Sequence, residues 1–203
     1  MPGLIWVSNN IWSSFMEQKA VVLADSNWIE KSVRDLPGSP VRRMGEEWML
    51  VAAGNTGEGA GKWNAMTVSW GSFGLLWHRE IACVYIRPNR QTSVYLDANS
   101  LFTLSFFNEK YHNALSFFGE NSGRNTDKAA ETGLTPIVFG DNIAGGRAGG
   151  AIAFGEASEI VVCRKIYIHD FDSKCFQAKG DGLPESDDHR MYIGEVLTML
   201  TAG

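Results

Sequence analysis

Short apolar, strand-like runs recur along the chain between glycine-rich and polar stretches, which reads as strands rather than long helices. Residues 48–53, WMLVAA, form the first such run of the main body. The next two, 66–70 and 81–87, are separated by Gly71 and Gly74, which read as breaks. Across 101–107, Phe102, Leu104 and Phe106 fall on one face and Thr103, Ser105 and Phe107 on the other, so this strand expects cover on both sides. Further strands are expected at 136–139, 151–154, 157–169 and 191–200. The stretch 54–61 reads as a hairpin connection, 140–150 (GDNIAGGRAGG) as a flexible glycine-rich excursion, and 171–184 as a connection.

Helical signals are fewer. Residues 91–98 predict a short helix. Tyr111, Leu115 and Phe118 have helical spacing within 109–118, with Gly119 as the stop. A second helix is expected within 122–132, capped by Asn125 or Thr126 and ended by Gly133. Near the start, 27–33 predicts a short helix capped by Ser26 or Asn27, and Asp35, Pro37, Gly38 and Pro40 form a loop. Residues 11–16 read as a helical turn or an extended arm. Trp6, Trp12, Phe15 and Trp28 need cover from the main body or from a partner subunit. The chain thus divides into an N-terminal extension, 1–45, and one domain, 46–203.

Seven or eight strands with two or three small helices exclude a regular βαβ arrangement, because most strands follow one another directly. The expected class is mainly β, a closed or partly closed antiparallel barrel with short peripheral helices. Such a fold places ligands on its rim or at a subunit interface.

Composition narrows the function. The 203 residues carry 44% hydrophobic and 20% charged residues, an ordinary globular balance. A net charge of −5 argues against nucleic acid as a partner. No apolar run is long enough for a membrane span, and the N-terminus lacks a secretory signal, so a cytoplasmic protein is expected. Cys83, Cys163 and Cys175 are odd in number and widely spaced, which fits a reducing compartment, with Cys83 and Cys163 as core residues. There is no HExxH, CxxC, GxGxxG, GxxxxGK[ST] or GxSxG pattern, so no metal site is expected.

Four constellations remain. Arg87, Arg90, Thr92 and Ser93 follow a strand and could converge on one anion, or else solvate a strand end. Ser122, Gly123, Arg124 and Lys128 lie near an expected helix start, with Arg124 and Lys128 on one helical face; ordinary surface charge is the competing reading. In 64–71, Thr67 and Ser69 alternate with Met66, Val68 and Trp70. Such an edge could bond a heterocycle with Trp70 or Trp77 against it, or could simply be a barrel strand with an aromatic core. Asp188 and His189 lead into the last strand; His189 is either structural or a proton donor in a cleft, and Glu195 either an interior charge or a surface one. The segment 63–92 therefore suits a ligand with a flat ring at one end and a phosphate at the other.

Seven blocks in order carry a family resemblance: WMLVAAGN (48–55), NAMTVSWGSFGLLW (64–77), YIRPNRQT (85–92), FTLSFFNEKY (102–111), SGRNTDKAAETGLTP (122–136), VVCRKIY (161–167) and DHRMYIGEV (188–196). The chain resembles the flavin reductase-like, FMN-binding split-barrel family, especially its flavoredoxin-type branch. The resemblance implies a homodimer of a Greek-key split barrel with FMN in a cleft near the dimer interface. It implies flavin contacts from Asn64, Met66, Thr67, Val68, Ser69, Trp70, Ser105 and Phe106. It assigns the ribityl phosphate to Arg87, Asn89, Arg90, Thr92, Ser122, Arg124 and Lys128. His189 matches the histidine near flavin and nicotinamide. The activity implied is that of a flavin reductase or flavoredoxin-like electron carrier using NAD(P)H and passing electrons to a small molecule or protein. The alternatives are a non-catalytic module binding flavin or another prosthetic group, and an oxidase of the pyridoxamine-phosphate-oxidase type.

Overall fold

The computed structural model describes residues 22–24, 27–55, 62–177 and 187–203. The readings of 11–16, of Trp6, Trp12 and Phe15, of Ser26 as a cap, and of the connection across 56–61 and 178–184 lie outside the described residues.

Among the described residues, eleven strands form two sheets. In chain order they are β1 Val22–Leu23, β2 Trp28–Lys31, β3 Met49–Asn55, β4 Lys62–Val68, β5 Gly71–Leu76, β6 Arg79–Ile86, β7 Leu101–Phe106, β8 Pro136–Val138, β9 Ile152–Phe154, β10 Glu159–Asp170 and β11 Arg190–Ala202. The large sheet runs β4-β3-β7-β10-β11-β6-β5, and β2 joins β11. The small sheet is β1-β8-β9, with β1 parallel to β8 and β8 antiparallel to β9. Short helices intervene: α1 Pro40–Arg42, continued by a π-type turn Arg43–Glu47, then α2 Gln91–Ala98, α3 His112–Glu120 and α4 Lys128–Thr132. The fold is mainly β, as expected. Among the described residues neither sheet closes on itself.

Strand alternation builds two cores. Met49, Val51 and Ala53 of β3 face one core with Phe102, Leu104 and Phe106 of β7. Leu50 and Ala52 face the other, where β9, α3 and α4 supply Phe154, Leu115, Phe118 and Ala129. The double burial expected for β7 follows from this, since β3 and β10 flank it and a core lies on each face. Glycine at 194 lets β11 cross Phe102 closely, because a Cβ there would come within 2.6 Å of the ring and 2.8 Å of Cys163 Cβ.

Several expectations are corrected. Within 27–33, Trp28–Lys31 is the strand β2, paired with Met199–Ala202 of β11, and a 3₁₀ turn Val33–Asp35 capped by Ser32 follows. Pairing wins over the helix signal because β6 leaves β11 after Glu195, and the ladder beyond needs a partner. Gly71 and Gly74 do not break the chain; they lie in β5. Gly71 is small because a side chain there would run into the Cys83 carbonyl of β6. The reversal comes later, at Trp77 and His78, with φ of 51° and 60° between the paired residues Leu76 and Arg79. A two-residue hairpin turn with both φ positive matches strand twist, and usually uses Asn or Gly, so these two residues hid it.

The helices differ in their ends. α3 runs past Gly119 to Glu120, and Gly119 faces Thr67, whose Cβ an added Cβ would meet at 3.4 Å, rather than turning the chain. α4 starts only at Lys128, capped by Asp127, whose carboxylate accepts from Ala130 N at 3.0 Å; Gly133, at φ 75°, ends it as expected. The 140–150 stretch is packed: Ile143, Ala144 and Ala148 are buried, and Ala144 N–H donates to Glu30 of β2 at 3.2 Å.

Candidate functional site

β4 and β5 stand at opposite ends of the large sheet, yet only Ser69 and Trp70 separate them in the chain. The two sheet ends are therefore held close without a ladder between them, and a cleft opens along this seam. It has two adjoining chambers that share Met66, Arg87 and Arg90.

The larger chamber has a volume of about 450 Å³. Asn64 and Met66 of β4 form one wall. Arg87, Asn89, Arg90, Gln91 and Thr92, from the loop after β6 into α2, form another. Phe118, Gly119 and Asn121 at the end of α3, the turn Ser122–Arg124, and Lys128 complete it. Among the described residues, four cations line the chamber and no carboxylate does. Arg87 reaches Asp188 at 3.1 Å, but Arg90, Arg124 and Lys128 have no ion-pair partner among the described residues.

Lys128 is 5% exposed. Its ammonium donates to the carbonyls of Ala65 and, at 3.2 Å, Phe118, and lies 5.1 Å from the Phe118 ring. Burial and then the charge of Arg90 bring its pKa down to about 8. A desolvated ammonium beside a second cation is a site that an anion would stabilise. The frame around it is rigid. Asn64 Nδ2 donates to Thr92 Oγ1 at 2.9 Å, both residues being buried. Ser93 donates to the carbonyls of Pro88 and Arg90 at 2.8 and 2.7 Å, so it shapes the arginine loop from behind and does not line the chamber. Gly123 fits against Asn64, whose Cγ a Cβ would approach to 2.9 Å.

The smaller chamber, about 190 Å³, is lined by the run from Met66 to Trp70 on one side, by Tyr85, Ile86 and Arg87 at the end of β6, and by Arg90 and His189. Main-chain groups of alternate strand residues point to opposite edges. Lys128 takes the Ala65 carbonyl from outside the sheet, so Ala65 and Thr67 turn their main-chain groups to the seam while Met66 pairs toward β3. The Thr67 hydroxyl is held by the Leu115 carbonyl of α3. The Trp70 ring lies 4.9 Å from the His189 ring, tilted by 45°. His189 is 7% exposed, and its Nδ1 and main-chain N–H both meet Asp187 Oδ1, the latter at 2.6 Å. Burial alone would raise the Asp187 carboxyl, but the hydrogen bonds and charge of His189, with Arg87, hold it below the usual range. The Asp187, Asp188 and His189 donor atoms lie within 4.8 Å of one another, each engaged within the protein by His189, Arg87 and Asp187 respectively.

The seam brings together fourteen of the sixteen residues singled out in the sequence. Asn64, Asn89, Thr92, Ser122, Arg124 and Lys128 line the cationic chamber; Thr67, Val68, Ser69, Trp70 and His189 line the other; Met66, Arg87 and Arg90 line both. Ser105 and Phe106 line neither. Ser105 sits mid-sheet between Leu50 and Ile160, fully buried with its hydroxyl unpartnered, and Phe106 packs under the Arg43 guanidinium at 4.8 Å. β7 has a neighbour on both edges, which keeps it from the seam. Arg124 and Lys128 meet without sharing a helical face: Arg124 is in the turn before α4 and donates to the Asn89 carbonyl at 3.4 Å. Trp77 is exposed at the hairpin tip, away from the cleft. Glu195 is an interior charge, paired with Arg79 and, at 2.5 Å, Arg164. Tyr85, Gln91, Asn121 and Asp187 were missed. Tyr85 was findable as the residue two before Arg87 on the same strand face, and Asp187 as the carboxylate two before His189.

Fold and site define a mainly-β protein whose open seam holds a cation-lined chamber beside a smaller one. The chain belongs to the family described as flavin reductase-like domain, whose model matches residues 41–202. Among solved structures it is similar to flavoredoxin of Desulfovibrio vulgaris (Miyazaki F), with 20% identity, TM-score 0.57, and 86% of this chain and 77% of that chain covered. It is similar to flavoredoxin of Methanosarcina acetivorans, with 16% identity, TM-score 0.56, and coverage of 75% and 67%. It is also similar to an FMN-binding protein from Thermus thermophilus with bound p-hydroxybenzaldehyde, with 19% identity, TM-score 0.55, and coverage of 75% and 69%. At these identities the likeness is one of fold. Comparison with curated proteins finds no match. No helix among the described residues is long and apolar enough to cross a membrane.

Proposed function

We propose that this protein is an FMN-binding oxidoreductase of the flavin reductase and flavoredoxin type, a cytoplasmic homodimer taking electrons from NAD(P)H. The observation that carries this reading is the buried Lys128 ammonium beside Arg90 in a chamber without a carboxylate. Arg90, Arg124 and Lys128 would hold the ribityl phosphate, with the hydroxyls of Ser122 and Thr92 beside it. The seam edge of β4 would offer Thr67 main-chain groups to the pyrimidine edge of the ring, and Trp70 would bound its face. Bound FMN supplies the redox chemistry; the protein sets its position and the charge around it. His189 would stand where nicotinamide enters. The residues fit this cofactor because a phosphate answers the unpaired cations and a flat heterocycle answers the open strand edge. An absorption spectrum of the freshly purified protein, with mass identification of the chromophore released by denaturation, tests it. Oxidised-flavin bands with released FMN are expected. A colourless protein that does not take up added FMN would overturn the assignment.

A further inference from the structure

The flavin reading leaves one carboxylate unexplained. Asp187 precedes β11, lines neither chamber, and turns the same oxygen to two groups of His189: the main-chain N–H at 2.6 Å and the imidazole Nδ1. An exposed carboxylate would solvate itself, yet this one is drawn in, with 16% of its side chain accessible. The ring it holds is itself buried and lines the smaller chamber, and its other nitrogen, Nε2, has no hydrogen-bond partner among the described residues.

We infer that Asp187 is a positioning residue that fixes His189 in the tautomer bearing its proton on Nδ1, so that Nε2 is the nitrogen presented at the ring end of the cleft. The logic is one of donors and acceptors. An ionised carboxylate only accepts, so the nitrogen facing it must donate. The main-chain N–H on the same oxygen fixes the carboxylate in place, and the low Asp187 pKa keeps it ionised at neutral pH. The Trp70 ring, with its centroid 4.9 Å from that of the imidazole, packs beside it. The chain beyond is anchored as well, because Phe171 N–H donates to the His189 carbonyl at 3.1 Å and Arg190 pairs with Asp170 and Asp97. Neutral His189 then offers a lone pair at Nε2 and protonated His189 a proton, and the proton on Nδ1 stays with Asp187 in both cases. No electron passes through this pair. The role rests on the proposed flavin site, since it is there that a donor or acceptor at Nε2 would matter.

The test reads the tautomer first and the reaction second. Imidazole nitrogen NMR of the flavin-free protein at alkaline pH should show His189 with Nδ1 protonated. Asp187→Asn can turn its amide N–H to the ring and should shift the population toward the Nε2-protonated form, while Asp187→Glu should restore it in part. In the flavin-loaded protein, Asp187→Asn should lower kcat for NAD(P)H oxidation about tenfold or more, with FMN affinity within about twofold of wild type. The near-ultraviolet circular dichroism of each variant checks that it is folded. An unchanged nitrogen spectrum in folded Asp187→Asn would overturn the inference, whatever the activity. A shifted tautomer in a protein that binds no FMN would uphold the pairing and defeat the flavin reading instead.

Discussion

Lys128 reaches across the free edge of β4 to the main-chain carbonyl of Ala65, so the buried cation of the larger chamber is fastened to the strand that walls the smaller one. On the proposed flavin reading, one hydrogen-bonded unit would hold both the phosphate and the ring. The start of α4 brings the lysine, the sheet end brings the edge, and a single hydrogen bond sets their spacing.

Replacing Arg90 and Lys128 together with alanine should weaken FMN binding at least about 100-fold. Each loses a charged hydrogen bond to phosphate worth about 1.5–3 kcal/mol, and about 2.7 kcal/mol is a factor of 100. Fluorescence titration of flavin into the double variant measures it, and an affinity equal to wild type would remove the phosphate assignment.

Lys128 should leave a signature in stability against pH. Its pKa falls from 10.5 in the open chain to about 8 in the fold. Between these values the unfolded chain binds more protons, so this group makes the flavin-free protein more stable as pH rises through that window. Below about pH 8 its burial cost is fully present, on the order of 3 kcal/mol. Cys163, whose thiol burial pushes upward, works in the opposite sense above its ordinary value. The difference between wild type and Lys128→Met isolates the lysine. Denaturant melts across this range should show the wild type gaining on the variant as pH rises; parallel profiles would mean that Lys128 is not buried as a cation.

Gly123→Ala should cost about 1–3 kcal/mol, the usual range for overpacking. The new Cβ meets Asn64, which cannot swing away without losing its bond to Thr92. Thermal melts and flavin titration should both respond, because the same contact shapes the anion chamber. A variant with wild-type stability would show that the turn can shift freely.

His189→Ala should slow nicotinamide oxidation far more than it weakens FMN binding, since His189 lines only the ring end of the cleft. Anaerobic stopped-flow reduction separates the two effects. A reduction rate equal to wild type would leave the residue with a packing role against Trp70.

The strand-rich class, the two faces of β7, the helix α2 and most of the residues at the seam are legible in short windows of the chain. Each of these rests on local rules: alternation of apolar side chains, cap and stop residues, and a cluster of cations with few acids nearby. Even Arg87 and Arg90 were legible because they sit within four residues of each other at a strand end. What the tertiary structure alone decided depends on which strands end up without a neighbour. β4 and β5 adjoin in sequence but close opposite ends of the sheet, and that placement makes a cleft of residues 66–70. β7 looks similar in its pattern, yet neighbours on both edges withdraw Ser105 and Phe106 from the two chambers. The segment 27–33 carries helix signals, but a free stretch of β11 claims it as a strand. Lys128 and Ala65, sixty-three positions apart, meet because chain folding brings a short helix to a bare edge. Hydrogen-bond demand along strand edges is a property of the whole sheet, and no window of the sequence contains it.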